Sequence, residues 1–374
     1  GRYGHRFGYE CNLSDRTNGL PLEEETIAEV FKTNGYRTAA IGKWHLGSRD
    51  EQHPNNRGFD LFYGMKAGGR DYFYNEKKSD RPGNERNLLL NDRQVKFEKY
   101  LTDAFSEKAV EFINESSQPF MMYLAYNAVH TPMQATDEDM AKFEGHPRQK
   151  LAAMTYALDR GVGTVIRGLK DSGKFDNTLI FFLSDNGGAT TNQSSNYPLK
   201  GFKGNKFEGG HRVPYFVVWK NGIPAGKPYD GLVSSLDIFA TAIDAASISK
   251  TRNRLDGVSL LPYLKGKKGE PHKVLYWRKM DTRAIRSGDY KLIITHGVDS
   301  VLYNIRRDPE EMNNLINKEP DLYRKLAKKL AKWEKNECIE PSWLEEGWRK
   351  ITNRYHQQLM HNEIKTAQDL YKRK

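Results

Sequence analysis

The feature that most constrains the fold is a set of short apolar segments that alternate with stretches of helical periodicity. Each segment is apolar along its length, and most of them follow a helix-like pattern; they are YRTAAIG (36–42), PFMMYLAY (119–126), TLIFFLS (178–184) and VPYFVVW (213–219). Strands of a parallel sheet carry helices on both faces, so they are apolar throughout rather than alternating. The pattern therefore predicts an α/β fold with a mostly parallel sheet covered by helices.

A change of pattern after the first two thirds of the chain divides it into two parts. Residues 255–271 are rich in Gly, Lys and Pro, and shorter, more polar segments follow them. These segments are typical of antiparallel strands joined by turns, and a charged helical segment near 320–336 precedes a helical tail. We therefore predict an α/β domain over residues 1–265 and a smaller C-terminal α+β subdomain over residues 272–374, with an antiparallel sheet and a helical tail.

The charge balance restricts the partners that this chain could have. It carries 59 Lys and Arg against 48 Asp and Glu residues, a formal net charge of +11. Such a charge indicates either a solvated basic surface or an anionic partner. The sequence has no zinc-finger spacing, RNA-binding aromatic motif or basic zipper, so nucleic acid is not expected. No stretch approaches the ~20 apolar residues of a membrane span, so a span is not expected either.

Polar side chains follow the predicted strands at the points where those strands end. In an open parallel sheet, ligands bind beyond the carboxyl ends of the strands. Each of these residues alone is more often structural, but all of them fall at one predicted edge or in the next loop. They are Lys43 and His45 after the first strand, His130 after the second, Asp185 and Asn186 after the third, and Lys203 in the Gly- and Lys-rich loop that follows.

These residue types suit an anionic oxo-ester. Two lysines can neutralise charge that develops on a transferring group, and two histidines can exchange protons near neutral pH. Asp and Asn oxygens are ligands for Ca²⁺ or Mg²⁺, although two side chains supply too few oxygens for a complete shell. The residues at this edge include no evident nucleophile.

The order of several motifs resembles the type I, formylglycine-dependent sulfatases of the alkaline phosphatase superfamily. The segment GYRTAAIGKWH (35–45) is similar to a signature of that family, and the family's later motifs follow in order. They are HTP, SDNGG, KGNKFEGGHRVP, LDGVSLLPYLKG and LYNIRRDPEEMNNL. The resemblance covers the chain from Gly1 to about residue 336. It implies an alkaline-phosphatase-like sulfatase fold whose catalytic domain lies within residues 1–265.

The resemblance also implies roles for individual residues. Lys43 and Lys203 would hold the sulfate oxygens. His45 would lie beside the nucleophile and help to expel the alcohol. His130 would contact the sulfate and protonate the leaving oxygen. These four are the expected catalytic residues, and Lys43, His130 and Lys203 are also expected to bind substrate.

The chain departs from the family's pattern at the nucleophile and at part of the metal site. Asp185 and Asn186 would be two ligands of an active-site Ca²⁺, or of Mg²⁺, but the family's other two aspartates are not in this chain. The family's nucleophile is a Cys or Ser in C/S-x-P-S-R, and that motif is also missing. The sequence CNLSDR around Cys11 lacks the proline, so Cys11 is not expected to be the modified residue. We therefore expect a fragment of a longer enzyme, with formylglycine and a central strand encoded upstream of Gly1.

The expected substrate is a sulfated carbohydrate. The segment 55–76 resembles one in sulfatases that act on sulfated sugars, including the N-acetylgalactosamine-6-sulfatase-like enzymes, which often carry His where this chain has Arg70. Arg70, with His53 as a second candidate, is expected to contact a neighbouring anionic sugar, since guanidinium binds sulfate or carboxylate through two parallel hydrogen bonds. A loop arginine with no role in binding is the competing interpretation.

Two other functions stay open from the sequence. One is a phosphoesterase or phosphonate hydrolase of the same superfamily, and the other is a non-catalytic module that binds sulfated glycans. The GKWH element and the KG-x-x-x-EGG loop favour sulfate. By resemblance the enzyme is expected in the periplasm, outside the cell or on the cell surface. The two cysteines, Cys11 and Cys338, lie in no CxxC pair, which disfavours a zinc site and leaves a disulfide between them untested.

Overall fold

The computed structural model describes residues 1–8, 19–249, 251–340 and 346–372. The strands are β1 (Arg37–Lys43), β2 (Leu61–Met65), β3 (Leu89–Leu90), β4 (Arg93–Gln94), β5 (Phe120–Ala125), β6 (Ile180–Leu183), β7 (Tyr215–Val218), β8 (Val274–Lys279), β9 (Thr282–Ser287), β10 (Tyr290–Thr295) and β11 (Asp299–Asn304). The α-helices are α1 (Ile27–Thr33), α2 (Leu101–Glu115), α3 (Asp137–Ala141), α4 (Gln149–Asp171), α5 (Glu208–His211), α6 (Asp237–Ala245), α7 (Leu261–Leu264), α8 (Pro320–Glu337), α9 (Glu346–Met360) and α10 (Asp369–Lys372). None of the described helices has the length and apolar character that crossing a membrane requires.

The largest sheet has five strands in the order β4-β3-β2-β1-β5. β1 is parallel to both of its neighbours, β2 and β5, whereas β3 and β4 add to the other edge in antiparallel fashion. The interior residues of β1 are buried on both faces. Helices α2 and α4 cover one face, where Ile41 packs with Phe105 and Met154. The other face holds Trp44 in a smaller core that α1 closes.

Strands β6 and β7 differ from the predicted arrangement. They were expected to continue one parallel sheet, but they pair only with each other, antiparallel, within the described residues. The apolar pattern of a strand predicts that it will be buried but not which strand it will pair with, so the sequence could not specify this pairing. Both strands carry exposed apolar residues: Phe182 is 41% exposed and Phe216 is 57% exposed. Tyr123 on β5, the edge strand of the large sheet, is 44% exposed.

The C-terminal sheet is antiparallel, in the order β11-β10-β9-β8, and lies between two helical layers. Side chains of successive strand residues point to opposite faces. On β10, Leu292 therefore packs against α8, in a core that includes Trp333. Its neighbour Ile293 faces the opposite core, which contains Leu359 of α9 and Phe207 of the Lys203 loop. The sheet thus supports the loop that carries Lys203.

Candidate active site

Lys43 and His45 extend from the end of β1, where the backbone of the adjacent segment holds them. The amide of Trp44 donates to Met65 O, and the amide of His45 donates to Lys66 O, each at 3.0 Å. His45 has φ 57°, a left-handed conformation that is uncommon for a residue with a side chain. Backbone strain of this kind is characteristic of functional sites, where the surrounding structure enforces it.

His130 lies in the loop that follows β5. Its backbone amide donates to Asn127 O (2.7 Å), and the hydroxyl of buried Tyr72 donates to the carbonyls of both residues (2.7 and 2.9 Å). The ring atom Nδ1 lies 2.8 Å from Thr131 O. A carbonyl only accepts hydrogen bonds, so Nδ1 carries the proton of this contact. In the neutral ring, Nε2 is then the atom that offers a lone pair.

The turn that carries Asp185 and Asn186 is joined directly to the Lys203 loop. The amide of Gly187 donates to Gly210 O and the amide of Lys203 donates to Gly188 O, both at 3.0 Å. A Cβ on Gly187 would lie 1.8 Å from Gly209 O, so the close approach requires glycine there. The two glycine-rich segments, which are separate in sequence, therefore form one rigid surface.

These elements bring four of the predicted side chains, Lys43, His45, His130 and Lys203, into one group that we call the basic cluster. Burial lowers the pKa of Lys43, and the charge of Lys203 lowers it further while Asp185 opposes the shift. Burial, together with the charges of both lysines, lowers the pKa of His45 to about 4. The pKa of His130 is also lowered by burial, and both lysines contribute.

The ammonium groups of the basic cluster have no partner of their own. Within the described residues, neither Lys43 Nζ nor Lys203 Nζ makes a hydrogen bond or an ion pair, although both side chains are half-buried. Placing unpaired cations together in a partly desolvated site costs free energy. An anion bound between them would relieve that cost.

Asp185 and Asn186 fit a divalent cation in part. The Asp185 side chain is exposed, and Asn186 Nδ2 donates to Gly187 O (3.0 Å), which leaves Oδ1 as an acceptor. Ca²⁺ takes 6–8 oxygen ligands, and these two side chains supply a minority of them. The described part of the chain contains no group of three or more His, Cys, Asp or Glu side chains that could hold a metal ion. Asp185 and Asn186 could therefore serve only as part of a metal shell.

Arg70, which we expect to contact a sugar, has an internal partner in the structure, and its contact with a sugar stays a prediction. Its side chain has no exposed surface, and Nη2 donates to both carboxylate oxygens of Asp80, at 2.7 and 2.8 Å. The guanidinium also lies over the Phe97 ring, 4.7 Å from its centroid. The guanidinium thus binds an internal acid through Nη2. His53 Nδ1 accepts from the amide of Asn55 (3.3 Å), so it is used locally as well.

Sequence reasoning missed Asn196. Its Oδ1 accepts from the amide of Gly188 (2.8 Å), and its Nδ2 donates to the carbonyls of Gly188 (3.2 Å) and Gly201 (3.1 Å). One side chain thus binds the Asp185 turn to the Lys203 loop. In sequence it lies in a polar stretch, NQSSNYP, that reads as an ordinary loop, so no local signal identified it. Cys11 lies outside the described residues, and its pairing with Cys338 stays untested.

Comparisons with known proteins agree with the sequence motifs. A family model described as "Sulfatase" matches residues 1–248, and one described as "N-sulphoglucosamine sulphohydrolase, C-terminal" matches residues 203–336. The chain is 37% identical to "Uncharacterized sulfatase YdeN" of Escherichia coli over 74% of its length. It is 31% identical to the N-acetylgalactosamine-6-sulfatase of Canis lupus familiaris over 73% of its length. The chain spans about half the length of these curated relatives, 53% and 55% respectively.

Solved structures extend the agreement to the fold. The structure titled "Crystal structure of Ps i-CgsB in complex with k-i-k-neocarrahexaose" is 36% identical, with a TM-score of 0.85. The match covers 95% of this chain and 84% of that one. It confirms the predicted fold class, an α/β sulfatase fold with a smaller C-terminal antiparallel sheet and helix.

Proposed function

This chain belongs to the sulfatase family, and from that premise we propose that its gene product is a sulfuric ester hydrolase that removes sulfate from a sulfated carbohydrate. The observation that carries the proposal is the basic cluster, with two half-buried ammonium groups that make no ion pair within the described residues. The carbohydrate class is supported by relatives named N-acetylgalactosamine-6-sulfatase and by a 36% identical protein in complex with neocarrahexaose.

Lys43 and Lys203 are proposed to hold the sulfate group. A sulfate monoester carries one negative charge spread over its non-bridging oxygens, and ammonium groups donate strong charge-assisted hydrogen bonds to such oxygens. Backbone hydrogen bonds hold each lysine's segment in place before substrate binds: the residues after Lys43 bond to Met65 and Lys66, and the Lys203 loop bonds to the Asp185 turn. Preorganised cations stabilise charge that develops during transfer more effectively than water does.

His130 and His45 are proposed to handle protons at the leaving oxygen and at the nucleophile. Before substrate binds, both pKa values are lowered by burial and by the lysine charges. A bound anion would offset those charges and raise both values. His130 would then take up a proton at Nε2, because Nδ1–H is engaged by Thr131 O, and would donate it to the leaving oxygen.

Asp185 and Asn186 are proposed as two ligands of a Ca²⁺ ion, with Mg²⁺ as the alternative. When bound, such an ion supplies additional positive charge beside the sulfate oxygens. Its other protein ligands are not among the described residues. We therefore assign Asp185 and Asn186 a role in metal binding and no other role.

We further propose that a formylglycine nucleophile is carried by polypeptide outside these residues, and that this polypeptide adds a strand between β5 and β6. The sequence contains no C/S-x-P-S-R segment. Within the described residues, β5 and β6 each have one edge without a neighbouring strand. Tyr123 and Phe182 expose apolar surface on these strands. Unpaired strand edges with exposed apolar residues are ready to accept another strand.

The location of the enzyme in the periplasm, outside the cell or on the cell surface stays a prediction.

The test uses the complete gene product that contains these residues. Purified protein is assayed for release of sulfate from sulfated oligosaccharides and from an aryl sulfate, and for hydrolysis of aryl phosphate monoesters and diesters. We expect sulfate release that falls by at least about 100-fold in Lys203→Ala, the usual cost of removing a group that stabilises transition-state charge. Lys268→Ala, which removes an exposed lysine, is the matched control and should retain full activity.

Two further measurements separate the parts of the proposal. Mass spectrometry of the same protein tests for formylglycine, and chelation followed by Ca²⁺ or Mg²⁺ addition tests the metal requirement. Preferential hydrolysis of the phosphate esters would replace the sulfatase proposal with a phosphoesterase. Binding of sulfated glycan without turnover of any ester would leave only the binding module.

A further inference from the structure

The rim loop, residues 189–198, lies beside the basic cluster and is held to it at two points. Near its start, Asn192 is 7% exposed and donates to the carbonyl of Val129, one residue before His130, at 3.2 Å. Near its end, the Asn196 side chain bonds both glycine-rich turns of the site, as described above. The loop therefore spans from the His130 side of the site to the Lys203 side.

Tyr197 follows that second anchor and is open to solvent. Its side chain is 74% exposed, the largest value among the exposed large hydrophobic residues of the described chain. Its Cα lies about 3.8 Å from that of Asn196, so its backbone lies next to the residue that joins the Asp185 turn to the Lys203 loop. Exposed aromatic surface beside a candidate site is available to a ligand, because covering it releases water and is favourable.

The C-terminal tail determines how the ring is held. Lys365 Nζ lies 5.3 Å from the centroid of the Tyr197 ring, and the same ammonium pairs with Glu310. The backbone of Lys365 is fixed as well, since its carbonyl accepts from the amide of Gly201 at 2.7 Å. A cation over one ring face holds the ring by cation–π attraction. Because Tyr197 is 74% exposed, much of the ring surface that Lys365 does not cover is open to solvent.

On the basis of the proposed function, we propose that Tyr197 is a saccharide-binding platform at the mouth of the site. Its open face would pack against the apolar C–H face of a pyranose ring adjacent to the sugar that carries the scissile sulfate. Lys365 is the positioning residue that holds the platform in place. Binding sites commonly combine aromatic surface with a few polar groups in this way. The arrangement selects an oligosaccharide or polysaccharide over a small sulfate ester.

The experiment compares two substrates in the complete gene product. For a sulfated oligosaccharide, Tyr197→Ala should raise KM about tenfold, the size expected for truncating an aromatic contact in a binding site. For an aryl sulfate, which has no neighbouring sugar, kcat/KM should stay unchanged. Tyr197→Phe keeps the ring and should behave like the parent. Lys365→Met should raise the oligosaccharide KM to a smaller extent, and Lys365→Arg should restore it.

Trp348→Ala is the matched control, because it removes a comparably exposed aromatic side chain (55%) from α9. If the parent enzyme hydrolyses both substrates and Tyr197→Ala leaves the oligosaccharide KM unchanged, the platform is refuted while the proposed function stands. If the parent hydrolyses neither substrate, the proposed function fails. Calorimetric titration with k-i-k-neocarrahexaose then tests the platform alone. Weaker binding by Tyr197→Ala supports the platform, whereas equal affinity, or no binding by the parent, overturns it.

Discussion

The most demanding prediction concerns a buried ion cluster beneath the Lys203 loop. Lys291 Nζ, on β10, lies 2.8 Å from a carboxylate oxygen of Glu208 and 3.0 Å from one of Glu311. It is also 3.0 Å from His211 Nε2. The three charged side chains are at most 1% exposed. Burial raises the pKa of Glu311. At Glu208 burial acts in the same direction, but Lys291, His211 and Arg286 together outweigh it and lower the pKa.

Lys291→Met would remove the cation that contacts both carboxylates; Arg286 and Arg212 would still lie 3.4 and 3.5 Å from Glu208, but the Glu311 carboxylate would lose its ion-pair partner. Breaking a buried pair by removing one partner typically costs about 3–5 kcal/mol. Unfolding entropy is roughly 2.1 cal/mol/K per residue, or roughly 0.8 kcal/mol/K for a chain of 374 residues. The expected fall in Tm is therefore about 4–6 °C. Because Glu208 begins α5, just after Lys203, sulfatase activity should fall as well.

The assay is thermal unfolding followed by circular dichroism, together with sulfate release. Lys268→Met is the matched control, since it removes an exposed lysine. A triple variant, Lys291→Met with Glu208→Gln and Glu311→Gln, removes the lysine and both carboxylates and should recover part of the lost stability; Arg212 and Arg286, which pair with Glu208, keep their charges. If Lys291→Met shifts Tm by less than about 1 °C, the cluster does not depend on that cation and the reasoning is wrong.

Three further predictions test other parts of the structure. Gly42→Ala would place a Cβ 2.0 Å from Ala125 O at a φ of 105°, so it should separate β1 from β5 and cost about 3 kcal/mol or more in chemical denaturation. His356 is buried, which lowers its pKa to about 3, so the unfolded chain binds its proton first as pH falls. The stability advantage of the parent over His356→Gln should therefore shrink as pH falls from about 6.5 towards 3, by up to about 1.4 kcal/mol per pH unit. Arg70→Met should lower Tm by leaving the Asp80 carboxylate unpaired, at a cost of about 3–5 kcal/mol, while the aryl sulfate KM stays unchanged.

Each of these has a control and a contrary outcome. Gly35→Ala also has a positive φ but meets no atom within 4 Å, so a loss as large as that of Gly42→Ala would point to backbone conformation rather than to the clash. His296→Gln alters an exposed histidine, and a parallel pH response there would show that burial is not the cause. For Arg70→Met, adding Asp80→Asn is expected to restore stability. A rise in the aryl sulfate KM without a loss of stability would instead indicate that Arg70 binds substrate.

The sequence alone determined the parts of this protein that depend on local pattern. The sequence pattern predicted β1, β5 and the helix α8 to within a few residues. The residues of the basic cluster could be selected because each follows a strand or occupies a glycine-rich loop, and parallel strands deliver their carboxyl ends to one edge. Their convergence follows from topology, which the alternation of segments already restricts.

Only the tertiary structure decided which groups meet across long sequence separations. β6 pairs with β7 rather than with β5, and the apolar character of these strands does not specify which of them pair. Arg70 Nη2 binds Asp80, and the same guanidinium would have suited a sugar sulfate equally well by its chemistry. The tail after residue 336 carries no motif, yet Lys365 reaches the Lys203 loop and the Tyr197 ring. The sequence shows which interactions a side chain can make, whereas the fold determines which partner lies close enough to make them.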